Sequence, residues 1–207
     1  MSMNIMRNGT YMTRGRPRKF DEGKALMAAM HVFWAKGLSA TSLDDLAIAM
    51  EMNRPSIYNA FGNKENIYRQ SLALFCVQLD KELEETLHSS LDLRKGLIAF
   101  FDQALEAYCA NSPPMGCLMI CTAPSESLSH PEVGKDLVSL IRHLDAGFLK
   151  RLEKAELNGE IEKGQKLALV AKMLQAILQT LAIRSRTGES KVALRKLVRY
   201  TVDKLVR

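Results

Sequence analysis

Residues 41–65 read TSLDDLAIAMEMNRPSIYNAFGNKE, and the structure of the first third of the chain can be predicted from this stretch. Thr41 and Ser42, followed by Asp44, predict a helix N-cap, because a hydroxyl accepts hydrogen bonds from free N–H groups and a carboxylate favours the first helical turn. Asn53 predicts a second cap, and Pro55 lies in the first turn of its helix, where a missing N–H costs nothing. The stretch therefore predicts two short helices joined by a tight turn.

Helical patterns continue on both sides of this stretch. Upstream, apolar residues recur at helical spacing from Phe20 to Lys36, and downstream Asn63 begins a longer helix that reaches about Leu87. Further helices are predicted over about 93–110, 116–127, 131–157, 167–185 and 190–206. The predicted fold class is all-α with about nine helices, divided into a flexible basic arm (1–19), a three-helix helix-turn-helix unit (20–66) and a helical C-terminal domain (67–207).

The composition narrows the classes of protein to which the chain can belong. The chain has 207 residues, 47% of them hydrophobic, and a formal net charge of +6, which favours a folded protein with a polyanionic partner. The four cysteines show no disulfide-framework spacing, and no apolar leader is visible, so we expect a cytoplasmic protein with free thiols. No run approaches the roughly 18 consecutive apolar residues of a membrane span, so we expect no membrane partner.

The paired short helices predict contacts with double-stranded DNA. In a helix-turn-helix the second helix enters the major groove, where Arg54 can fork onto guanine or phosphate and Asn59 can hydrogen-bond a base. Phosphate contacts are predicted for Thr41, Ser42, Tyr58 and Lys64, with Ser56 as a further short hydrogen-bonding side chain. The arm carries Arg16, Arg18 and Lys19, which suit a narrow minor groove.

Four linked motifs give a specific resemblance. They are GRPRKF (15–20), VFWAKG (32–37), ATSLDDLA (40–47) and NRPSIYNAFGNKE (53–65), and together they resemble the DNA-binding domain of the tetracycline-repressor (TetR/AcrR) family over residues 15 to about 70. The resemblance implies an all-helical homodimer that represses transcription from a palindromic operator and is released when a small molecule binds the C-terminal domain. Carried over by position, the family's DNA contacts fall on Thr41, Ser42, Arg54, Pro55, Ser56, Tyr58, Asn59 and Lys64.

The C-terminal domain offers two candidate sites. Its last two long helices suit a dimer interface, with one apolar stripe on Met173, Ile177, Leu181 and Arg184, joined by Leu197 and Tyr200. A pocket for an unidentified small apolar or amphipathic effector is predicted from Phe75, Leu79, Phe101, Leu105, Tyr108, Cys117, Met119 and Phe148. The alternative for these pocket residues is that they simply fill the core.

Other functions have less support from the residues. Cys117 and Cys121 share a helix face and leave a thiol-based redox sensor open, although a buried cysteine is commonly just a small apolar residue. Asp80, Glu84 and His88 also share a face, but charged neighbours favour a solvated surface, so we expect no metal. No phosphate loop, zinc motif or nucleophile elbow is present, so we expect neither an enzyme nor a cofactor. A sequence-neutral DNA-binding protein remains a further alternative.

Overall fold

The computed structural model describes residues 21–88 and 92–206, so the basic arm with Arg16, Arg18 and Lys19 lies outside the described residues. Within those ranges the chain forms nine α-helices and no strand. Their bounds are α1 (Glu22–Lys36), α2 (Leu43–Ala49), α3 (Arg54–Phe61), α4 (Lys64–Glu82), α5 (Leu93–Tyr108), α6 (Leu118–Glu126), α7 (Pro131–Leu157), α8 (Leu167–Arg186) and α9 (Lys191–Leu205). The predicted all-α class is confirmed.

Side-chain caps explain why several helices begin where they do. The carboxylate of Asp21 accepts from the N–H groups of Gly23 and Lys24, and the amide oxygens of Asn53 and Asn63 accept from the N–H groups three residues on. Each cap satisfies a donor that has no partner inside its helix. The cap at Asn53 was predicted from the sequence and Asn63 was predicted to begin its helix, whereas the first helix was predicted from Phe20, just before the cap at Asp21.

One helix start differs from the expectation for a physical reason, and one helix end agrees with it. Gly116 adopts a positive φ of 67°, so the helix predicted from residue 116 begins only at Leu118. A side chain at this glycine would collide with the carbonyl oxygen of Ala182, 2.3 Å from an ideal Cβ. After Glu82, α4 continues as a π-helical turn over Leu83–Leu87, in agreement with the predicted end near Leu87.

The helices form two packed groups, which we call the head (α1–α3) and the body (α4–α9). Phe33, Leu46 and Ile57 are fully buried at the centre of the head. In the body, Phe100, Phe101 and Phe148 make an aromatic cluster with ring centroids 5.5–6.0 Å apart. Because α1 also packs against α4 and α6, the two groups share one continuous hydrophobic core.

Candidate DNA interface and effector cavity

The third helix has one buried face and one exposed face. Ile57 and Phe61 point into the head, while Arg54, Tyr58 and Asn59 are exposed on the other side. Pro55 is exposed beside them and Ser56 is half-buried. The predicted major-groove residues of α3 therefore lie together on a single face that can approach DNA.

Arg54 is held by an acidic residue of the preceding helix. Its Nε and Nη2 groups donate to one carboxylate oxygen of Asp44, at 2.9 and 2.5 Å, and Asp44 raises the pKa of the guanidinium. Both side chains are more than half exposed. The pair fixes the direction of Arg54 above the α2–α3 turn, and the Nη1 side of the guanidinium can still form further hydrogen bonds.

Ser42 and Asp45 close the start of α2 with a capping box. The Ser42 hydroxyl accepts from the Asp45 N–H at 3.1 Å, and the Asp45 carboxylate accepts from the Ser42 N–H at 2.9 Å. A hydrogen bond from Lys36 and two from Ser42 lower the pKa of Asp45 to about 2. Ser42, which was predicted to contact a DNA phosphate, is exposed. Its hydroxyl already accepts the hydrogen bond from the Asp45 N–H that closes the cap.

The phosphate contact predicted for the Thr41 side chain needs a correction, because this side chain does not face solvent. It is only 1% exposed, and its hydroxyl donates to the carbonyl oxygen of Gly37 at 2.6 Å. Lys64 bonds the same loop, since its ammonium group donates to the carbonyl oxygen of Thr41 at 2.8 Å. In this structure Thr41 and Lys64 therefore hold the α1–α2 loop on the start of α4.

A polar network that sequence analysis missed joins the head to the body. Glu126 of α6 is 7% exposed, and its carboxylate accepts from the backbone N–H of Ser39 at 3.0 Å and from the Ser39 hydroxyl at 2.5 Å. His130 lies 4.0 Å from Glu126 and hydrogen-bonds Glu65 of α4 at 3.0 Å. The only sequence signal was one acidic residue at the end of a short helix that has no other charged residue.

A second joint lies at the end of α1. The indole of Trp34 donates to the carbonyl oxygen of Gly116 at 3.1 Å. Arg186, at the end of α8, donates to the carbonyl oxygens of Trp34, Ala35 and Met115 at 3.1–3.2 Å. These carbonyls include free acceptors at the C-terminus of α1, where a cation is favourable. The guanidinium therefore connects the last turn of the head directly to the body.

The body contains a largely enclosed cavity of about 60 Å³ next to this joint. Four predicted pocket residues line it, namely Phe75, Leu79, Tyr108 and Cys117. Trp34 of the head also forms part of the wall, and polar groups come from Gln78, Glu82, Gln175 and Gln179. These five residues could not be predicted, because α1, α4 and α8 are far apart in the sequence and line one cavity only in the folded chain.

The other predicted pocket residues lie elsewhere. Phe101, Leu105 and Phe148 are completely buried and fill the core, so their assignment to the cavity wall was wrong. Met119 lines a separate groove between α4 and α7, beside the ion pair of Arg69 with Asp136. Phe101, Leu105 and Phe148 therefore follow the alternative that such residues simply fill the core. Helical spacing alone does not indicate whether a buried side chain lies in a cavity wall or in the core.

The thiols lie in surroundings that favour the protonated form. Burial raises the pKa of Cys117 to about 12 and that of Cys76 to about 11, and it also raises the pKa of Cys109 and Cys121. The thiolate is the reactive form, so all four are weak nucleophiles at neutral pH. Among the described residues no group of three or more His, Cys, Asp or Glu side chains is placed to hold a metal ion.

The predicted dimer face divides between surface and core. Met173 and Tyr200 are more than half exposed, Ile177 and Leu197 are half-buried, and Arg184 is exposed and pairs with Glu189. Leu181 is a correction, since it is fully buried inside its own chain and cannot lie in an exposed stripe. The exposed apolar face on α8 and α9 includes a groove lined by Met173, Ile177, Tyr200 and Leu205.

The head presents one exposed face of α3, the second helix of the helix-turn-helix, and it is held on a helical body. This arrangement defines a helix-turn-helix regulator of DNA. Comparison with known proteins is consistent with that class. Residues 25–70 match the tetR family of bacterial regulatory proteins. The chain is 28% identical to the HTH-type transcriptional repressor ComR of Escherichia coli (strain K12), over 92% of this chain and 91% of that protein.

Solved structures are similar over most of the chain. A cysteine mutant of the TetR family transcriptional regulator CifR, complexed with 26-base-pair operator DNA, superposes with a TM-score of 0.85. It is 26% identical in sequence, covering 91% of this chain and 98% of that one. A further relative, the HTH-type transcriptional activator FasR of Mycolicibacterium smegmatis, is 30% identical over 42% of this chain. The chain is a DNA-binding transcriptional regulator that is similar to the tetR family over residues 25–70.

Proposed function

We propose that the chain is a homodimeric repressor that binds a palindromic operator and leaves it when a small apolar or amphipathic effector fills the cavity. The observation that carries the proposal is the position of Trp34, which belongs to the head and yet lines the cavity in the body. An occupant that displaces the indole also disturbs its hydrogen bond to Gly116, next to the Arg186 joint. Binding energy can therefore act on the orientation of the head.

The homodimer is supported by the exposed apolar face on α8 and α9. Within the described ranges α8 alone is long and apolar enough, by length and composition, to cross a membrane. A helix that packs one face into its own core and another into a dimer interface is also long and apolar, so the composition of α8 supports a dimer. Two-fold symmetry also places two reading heads on two half-sites of a palindrome.

Further parts of the proposal follow from DNA binding. The exposed face of α3 reads the operator, with Arg54 and Asn59 as base contacts and Ser42 and Tyr58 on the backbone. The basic arm adds minor-groove contacts. The protein acts by binding alone, without a catalytic step, and it works in the cytoplasm with access to the chromosome.

Selection of tight-binding duplexes from a random DNA pool by the full-length chain tests the operator proposal. We expect an inverted repeat to be enriched, with affinity at least about a thousandfold above that for random DNA. Transcription in vitro from a promoter that carries the repeat should fall when the protein is added. Equal affinity for all sequences would favour the sequence-neutral alternative, and increased transcription would identify an activator.

A further inference from the structure

The cavity wall includes a buried side chain whose amide nitrogen has no hydrogen-bond partner among the described residues. Gln175 of α8 is 4% exposed, and its Nε2 group has no hydrogen-bond partner within the described residues. The same side chain is part of the cavity wall. A buried donor without an acceptor weakens the fold, so a ligand that supplies the acceptor gains more than an ordinary hydrogen bond exchanged with water.

The rest of the wall selects against charge. Apolar surface predominates, contributed by Phe75, Leu79, Leu140, Leu144 and Leu178. No lysine, arginine or histidine among the described residues lines the cavity, so a buried anion lacks a counter-charge. The carboxyl group of Glu82 has a pKa raised by burial and by Glu85, which weakens it as a partner for a cation.

We propose that the effector is a small uncharged molecule with an apolar frame and one hydrogen-bond acceptor, such as an ether, carbonyl or hydroxyl oxygen, which binds Gln175 Nε2. A cation offers only donors at its charged end and leaves Nε2 unpaired, whereas a pure hydrocarbon fills the space without an acceptor. The regulatory meaning of this site rests on the proposed function. Binding itself can be measured without DNA.

Trp34 provides the measurement, because it is the one tryptophan of the chain and lies in the cavity wall. Three ring compounds of nearly equal shape serve as probes, namely cyclohexane, tetrahydropyran and protonated piperidine. A cavity that holds a six-membered ring has a volume of roughly 150 Å³, so each bound probe must displace part of the wall, including Trp34. We expect tetrahydropyran to change the tryptophan emission of the full-length protein at about tenfold lower concentration than either of the others. Equal or tighter binding of cyclohexane or piperidine, or no binding of any probe, overturns the proposal.

Two variants locate the acceptor preference. Gln175→Met keeps the length of the side chain and removes the donor, so the preference for tetrahydropyran over cyclohexane should disappear. Gln103→Met is the matched control, since Gln103 is exposed on α5 and does not line the cavity. It should retain the preference. The proposal fails if Gln175→Met, folded by circular dichroism, keeps the preference; if that variant does not fold, the wild-type probe ratio decides.

Operator release is measured separately with a labelled operator duplex. Tetrahydropyran that binds in the Gln175-dependent way and also releases DNA supports both proposals. Binding without release supports the assigned ligand chemistry and counts against the proposed regulation. The two failures are therefore distinguishable.

Discussion

At the residue scale, Arg54 tests base readout by α3. Arg54→Ala should weaken operator binding roughly tenfold to a hundredfold, and a changed base pair at one or two positions should then cost little, because the bidentate contact is gone. Thermal unfolding should stay close to wild type, since the exposed pair with Asp44 contributes little to stability. Fluorescence anisotropy with single-base operator variants measures the effect. An equal loss on every sequence would reassign Arg54 to phosphate.

Glu126 provides a second test at the same scale. Glu126→Gln removes the charge that accepts two hydrogen bonds from Ser39, and we expect the free energy of unfolding to fall by about 1–2 kcal/mol. Glu132→Gln is the control, because that carboxylate pairs with Lys135 on the surface. Urea unfolding of both variants decides the matter. A loss no larger than that of the control would show that the network does not stabilise the joint.

At the scale of one element, the start of α2 gives a prediction about pH. The pKa of Asp45 is lowered from 3.8 to about 2, so its contribution to stability is fully present above about pH 4 and is lost as the pH falls towards 2. The difference in free energy of unfolding between wild type and Asp45→Asn should therefore shrink over this window. Chemical denaturation at a series of pH values measures it.

Lys36 provides the control for this prediction, because its hydrogen bond is the largest cause of the lowered pKa. In a Lys36→Met background the folded-state pKa of Asp45 should rise, so the loss should be smaller and should be complete at a higher pH. A difference between wild type and Asp45→Asn that stays constant from about pH 5 to about pH 2 would contradict the assigned role of the capping box.

At the scale of the whole molecule, the α8–α9 face decides assembly. Met173→Glu should weaken dimerisation at least about tenfold, because it places a charge in an apolar interface. Leu128→Glu, at a side chain that is 94% exposed and distant in sequence from α8 and α9, should leave the dimer intact. Sedimentation velocity at several concentrations distinguishes the two. A wild-type chain that is monomeric, or a Met173→Glu variant that is still dimeric, would exclude this face.

Local patterns in the sequence were enough to predict the helices, including those of the head. Periodicity and the caps at Ser42, Asn53 and Asn63 are local properties, so the order and approximate bounds of nine helices could be predicted, as could the exposed face of α3. Local spacing also indicated which faces were apolar. It could not distinguish whether an apolar side chain meets its own core, a cavity or a partner.

The surroundings of each apolar side chain follow from the tertiary structure alone, because they depend on which helices meet. Leu181 and Phe148 enter the core, and the hydroxyl of Thr41 turns inward to Gly37. Trp34 and Gln175, 141 positions apart, meet at one cavity because α1 and α8 converge there. Contacts across such distances in sequence leave no periodic signal, and they are the contacts that join the head of this regulator to its body.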